Sequence, residues 1–141
     1  MGQERQRIPA QFAQLAANGV DSARIAGLST QTWREIEEAL TPIIGVGGVS
    51  ALHRRSIHLL RDEHPWLAKE LGAELRAGDY SALASVLSQR SGEAAASASG
   101  ALLQTFHDLL VTLIGSSLTE RLMGPIWEHP LRSQDPHDGI Q

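Results

Sequence analysis

Cysteine is absent from the 141 residues, which excludes disulfides, thiolate nucleophiles and cysteine-ligated zinc and fits a reducing compartment. Aromatic residues make up only 4 % of the chain, β-branched residues are thin, and no segment alternates apolar and polar side chains, so nothing predicts a sheet. Long apolar runs are missing as well. The most apolar window, "LLVTLIGSSL" from Leu109 to Leu118, is about half of the ~20 residues that a membrane span requires. Positive charge is scarce: the net charge is -4, and Lys69 stands alone among eleven arginines, so there is no global attraction to nucleic acid or to anionic lipid. The opening "MGQERQRIPA" lacks the apolar core of a secretory leader, and Gln6 stands where a myristoylation signal needs Ser or Thr. These absences predict a cytoplasmic protein that neither binds nucleic acid nor spans a membrane.

Helical spacing fills the space that the absences leave. Ile8, Phe12 and Leu15 recur at four and three residues, with Gly19 placed as a stop. In "STQTWREIEEAL", Thr32 and Glu35 stand at capping-box spacing, and Trp33, Ile36 and Leu40 form a stripe. This predicts a second helix from Thr32 or slightly earlier, near Ser29. Thr41 and Pro42 read as the cap and first turn of a third helix reaching about Glu63; the alternative is one helix kinked at Pro42. "WLAKELGAELRAGD" predicts a helical turn or two broken by Gly72 and Gly78. Asp79 then caps a segment whose Tyr80, Leu83, Val86 and Leu87 face inward. The small-residue run "SGEAAASASG" opens a long last helix with a stripe from Leu102 through Leu103, Phe106, Leu110, Leu113, Leu118 and Leu122 to Ile126. The fold class is therefore all-α: a compact bundle of about four to six helices, two of them long and amphipathic. It occupies residues 1–131 as one domain, followed by a tail at 132–141. "PIIGVGGVSALHRR" and "TLIGSSLTERL" share Ile-Gly, small residues, a leucine and an arginine, too short a match to establish a duplication. Interior glycines such as Gly45 and Gly48 are expected at a bend or at a close helix crossing.

Six histidines are the main chemical resource. His58, among Arg54, Arg55, Arg61 and Asp62, belongs to a charged face, His53 borders the apolar face, and His107 has Leu103, Leu110, Val111 and Ile114 at helical spacing. His53 and His58 are five residues apart, about 140° on a regular helix, so they do not form a joint metal site. His53 and His107 are the candidates for a haem or metal ligand pair facing across the bundle, although a histidine on an apolar stripe is more often a hydrogen-bonded core residue.

His58 is the candidate for phosphorylation. The segment "HLLRD" is similar over five residues to the dimerisation helices of sensor kinases, with Leu59 in the acidic place. The lysine and glycine that follow the active residue in histidine phosphotransfer domains are here Arg61 and Asp62. No nucleophile is paired with a base, which points away from an enzyme. Trp66 and Trp127, each beside a proline at a helix end, and Arg54 and Arg55 are the candidate partner-binding residues. These features predict a regulatory or adaptor bundle of bacterial signalling type that binds a protein partner or itself as a homodimer, with no resident cofactor. The alternatives are a histidine phosphorelay and a haem- or ligand-sensing domain.

Overall fold

The computed structural model describes residues 2–71 and 80–128, with side chains from 9 onward and as far as 126. The protein is all-α. Among the described residues there are six helices: α1 (Gly2–Ala17), α2 (Ser22–Leu59), α3 (Pro65–Leu71), α4 (Ser81–Ser88), α5 (Gly92–Ile114) and α6 (Ser116–Glu128). None of them is long and apolar enough to cross a membrane. The breaks at Gly72 and Gly78, the cap at Asp79 and the tail lie outside the described residues.

The second helix begins earlier than its large apolar residues suggest. Asp21 caps α2, its carboxylate accepting from the backbone N–H of Arg24 at 2.9 Å. Thr32, expected as a cap, is instead buried inside the helix with its hydroxyl on the carbonyl of Leu28. Thr41 likewise bonds back, to the carbonyl of Glu37, and Pro42 continues the helix. The break falls three residues later, at Gly45, whose φ of 80° and ψ of 163° are nearly restricted to glycine. A first limb (22–44) and a second limb (46–59) thus meet at a one-residue corner. A Cβ at Gly45 would meet open space, so Gly45 serves the bend and not a helix crossing, whereas one at Gly48 would stand 3.0 Å from the Cβ of Ile44 on the first limb, a close approach across the corner.

The same corner recurs at Gly115, with φ 92° and ψ 156°. Its N–H closes α5 on Val111, and its carbonyl accepts the first bond of α6 from Thr119. The stripe drawn through Leu113 and Leu118 is therefore interrupted: Leu113 is 57 % exposed.

Gly45 and Gly115 mark two matching halves seventy residues apart. Ser91 caps α5 as Asp21 caps α2, accepting from the N–H of Ala94. The buried positions of α2 from Ile25 to Ser56 have buried counterparts from Ala95 to Ile126; His107, opposite half-buried Glu37, is the extra member. The halves also exchange partners, α1 packing against α5 and α4 against α2. Where the two turns meet, Ser22 donates to the carbonyl of Ser88 at 2.9 Å, and Gly92 lies so close to Val20 that a Cβ there would stand 2.9 Å from its carbonyl oxygen. Trp33 and Phe106, three to four turns further along, touch at 5.0 Å between centroids. The long helices therefore run in the same direction, and both corners lie at the far end.

Gly45→Ala should destabilise the protein by about 1–3 kcal/mol, the usual cost of holding a side-chain-bearing residue in such a backbone region. Gly115→Ala should cost a similar amount. Urea unfolding of the two variants checks this, and a loss at only one corner would mean that the two corners differ.

Candidate functional site

The second limb of α2 carries four of the candidate residues, His53, Arg54, Arg55 and His58. Val49, His53, Ser56 and Ile57 point into the bundle, while Gly47, Ala51, Arg54, Arg55, His58 and Leu59 are exposed. Helical spacing separates the histidines as expected: His53 is 2 % exposed, and His58 faces solvent. Arg54 and Arg55 make no side-chain hydrogen bond or ion pair among the described residues. Arg61 donates to the backbone carbonyl of His58. This limb therefore presents positive charge outward on a chain of net charge -4, with the apolar side chains of Val46 (47 % exposed) and Leu59 (42 %) near its two ends.

On its inner side, His53 stands edge-on to Trp33 at 4.1 Å and to Tyr80 at 5.7 Å, and Phe106 completes the group against Trp33. Neither ring nitrogen of His53 has a hydrogen-bond partner among the described residues, nor does the indole N–H of Trp33. Burial disfavours the imidazolium and pushes the His53 pKa from 6.5 down to about 3. The Tyr80 hydroxyl donates to the Glu37 carboxylate at 2.9 Å, and burial first, then this hydrogen bond, raises its pKa well above the usual phenol range. Sequence reasoning placed Tyr80 inward without finding Glu37 as its partner, because a half-buried glutamate in a charged run looks like any surface residue.

His107 is buried as expected, 4 % exposed, with Nδ1 3.8 Å from the Asp108 carboxylate. No group of three or more potential metal ligands occurs among the described residues. Enclosure of His53 between Trp33 and Tyr80 means that iron or haem could reach it only if those rings parted. Trp66 is half-buried, with the Arg90 guanidinium 4.4 Å above its ring and Arg90 ion-paired to Glu70. Part of its surface is therefore used within the chain. The Trp127 side chain lies outside the described residues. His107→Asp should lower stability by about 2 kcal/mol or more, because it forces a carboxylate inside next to Asp108. An unchanged melting curve would show the position to be exposed.

Two grooves among the described residues bear on the site. One, of about 470 Å³, runs between α1 and α5 and is lined by Ala13, Ala16, Ala96 and other small residues. The other lies between the first limb of α2 and α6, where Glu35 and Glu38 border Ala39, Leu122, Pro125 and Ile126. Neither carboxylate has an ion-pair partner among the described residues. The first groove also holds Glu93 and Ser97, one turn apart on α5, with no hydrogen bond between their side chains. No protein-family model, curated protein or solved structure matches this chain.

Proposed function

We propose that the protein is a regulatory or adaptor bundle that works by protein–protein association through the outer face of the second α2 limb. The observation that carries this reading is the pair of arginines, Arg54 and Arg55, without partners among the described residues on an acidic chain and flanked by exposed Val46 and Leu59. Arginine beside apolar area is a common composition of binding anchors. Such a face suits an acidic protein surface with an apolar floor. The groove bordered by Glu35 and Glu38 on a second copy of the chain has that character, so homomeric association is the form proposed, consistent with a cytoplasmic signalling role.

Sedimentation of the purified protein tests the reading. Association is expected at low salt and should weaken as salt is added, because opposite charges across a solvated interface are screened. Arg54→Glu/Arg55→Glu should abolish association while leaving the melting curve within about 0.5 kcal/mol in stability, as for exposed sites. A parent that remains monomeric at high concentration and low salt would contradict self-association. A second reading rests on the exposure of His58 beside these arginines, which would let it accept a phosphoryl group; acid-labile phosphate on the protein, lost in His58→Ala, would support it.

A further inference from the structure

The two halves match in their corners, caps and burial, yet they differ in what anchors the arm beyond each corner. In the second half, the position equivalent to His53 is Met123, fully buried and apolar. Met123 loses nothing by burial. His53 buries two ring nitrogens with no partner among the described residues, and such atoms forfeit the hydrogen bonds that water would supply.

The remaining anchors of this arm are Val49, Ser56, Ile57 and the half-buried Leu52, and the Ser56 hydroxyl bonds back to the Leu52 carbonyl of its own helix. Among the described residues, none of these side chains hydrogen-bonds another helix. At one end of the arm, Gly45 occupies a glycine-only conformation with open space on its Cβ side. At the other, Leu60 to His64 form consecutive turns before α3. The arm can therefore pivot at the cost of the apolar contacts of Val49 and Ile57 but without breaking a side-chain hydrogen bond to the body among the described residues.

We propose that the second limb of α2 (46–59) is an acid-released arm: protonation of His53 swings it about Gly45 away from Trp33 and Tyr80, while α6 stays docked. The groups packed around His53 do not provide a counter-charge. The first limb contributes Trp33, and next to it Arg34 and Glu37, the latter engaged by the Tyr80 hydroxyl; the segment before α4 contributes Tyr80 itself; behind Trp33, α5 adds Phe106, followed by His107 with Asp108. None of them accepts from or donates to His53.

The sign follows from linkage. The closed arm holds His53 neutral, whereas the open arm lets it take a proton near pH 6.5. The open-to-closed ratio is therefore flat above about 6.5 and rises by up to tenfold for each pH unit below that, until about pH 3. A switch of this kind would let mild acid withdraw or reorient the arginine face carried on the same limb.

Absence of cysteine makes the test direct. Spin labels at Ala51→Cys and Ser97→Cys report the distance from this arm to α5. Labels at Arg121→Cys and Gly27→Cys, the equivalent positions, report the distance from α6 to the first limb of α2. Between pH 7 and 4.5, the first distance distribution should broaden and lengthen while the second holds. His53→Met, which installs the residue of the other half, should remove the change. The proposal is overturned if the first distance stays fixed until the whole chain unfolds, if both distances change together, or if His53→Met still shows the shift. The two distances in the parent protein decide the matter even if His53→Met folds poorly.

Discussion

Trp33→Ala should lower the stability of the bundle by about 3–5 kcal/mol, the range for deleting a fully enclosed aromatic side chain. Trp33 is 0 % exposed and touches His53, Tyr80 and Phe106, so one truncation loosens the junction of both α2 limbs, the segment before α4, and α5. Its indole N–H has no acceptor among the described residues, so the ring's contribution there is packing and not hydrogen bonding. Trp33→Phe should therefore cost only about 1–2 kcal/mol, since it keeps most of the contact area and removes an unsatisfied donor. Urea unfolding of both variants gives the comparison. Equal losses for the two would mean that the indole nitrogen matters and that a partner for it exists.

Gly100→Leu should be comparably damaging, at about 3 kcal/mol or more, by overpacking. A Cβ on Gly100 would stand 2.8 Å from the Cα of Pro9 and 3.3 Å from its Cβ, so even alanine requires α1 to shift as a body. The equivalent position in the other half is Thr30, 5 % exposed and bonded to the carbonyl of Gly27, which shows that the same place along the long helix accepts a side chain where its neighbour leaves room. Gly100→Ala should lie between the parent and leucine. Thermal melts that do not distinguish leucine from the parent would mean that α1 is not seated against α5 at this point.

Gly100 also shows where sequence reasoning stopped. It sits in a run of alanine, serine and glycine that looks like low complexity, and nothing in that run signals that its small residues are buried against α1. The early turns of α2 were hidden for the same reason: Ala26, Ser29, Thr30 and Thr32 are buried, but small and hydroxyl-bearing side chains leave no hydrophobic stripe. Their hydroxyls can bond back to carbonyls within the helix, as Thr32 does to Leu28. By contrast, the segments with large apolar residues were legible. Tyr80, Leu83, Val86 and Leu87 are all buried as their spacing predicts, and so are Phe12, Phe106 and Leu110.

Pro42 misplaced the break in α2 because a proline inside a helix removes one donor without ending it, whereas Gly45 three residues on adopts a conformation that no helix continues through. In sequence, the match between the halves is plain chiefly at Ile44-Gly45 and Ile114-Gly115. Few other positions are identical, and the turn before Ser91 is one residue shorter than the turn before Asp21, which moves α4 out of the register that α5 keeps with α2. What the halves share is which positions are buried, and burial was not apparent until the helices were placed.

Of the candidate site, the outward Arg54, Arg55 and His58 and the inward His53 and His107 could be phased from helical spacing alone. The aromatic enclosure of His53, the Tyr80–Glu37 bond and the Arg90–Trp66 stack join residues from 20 to 73 positions apart. No local pattern reports contacts at that range.

Charge-reversed variants, studied alone and mixed, test the proposed association most directly. Arg54→Glu/Arg55→Glu leaves the Glu35 and Glu38 groove intact, and Glu35→Lys/Glu38→Lys leaves the arginine face intact. Sedimentation should show each variant monomeric by itself under conditions where the parent associates. The equimolar mixture should associate again, because each variant supplies the surface that the other has lost. Variants that associate alone as the parent does, or a mixture that stays monomeric, would contradict the docking of the second α2 limb into the acidic groove of another copy.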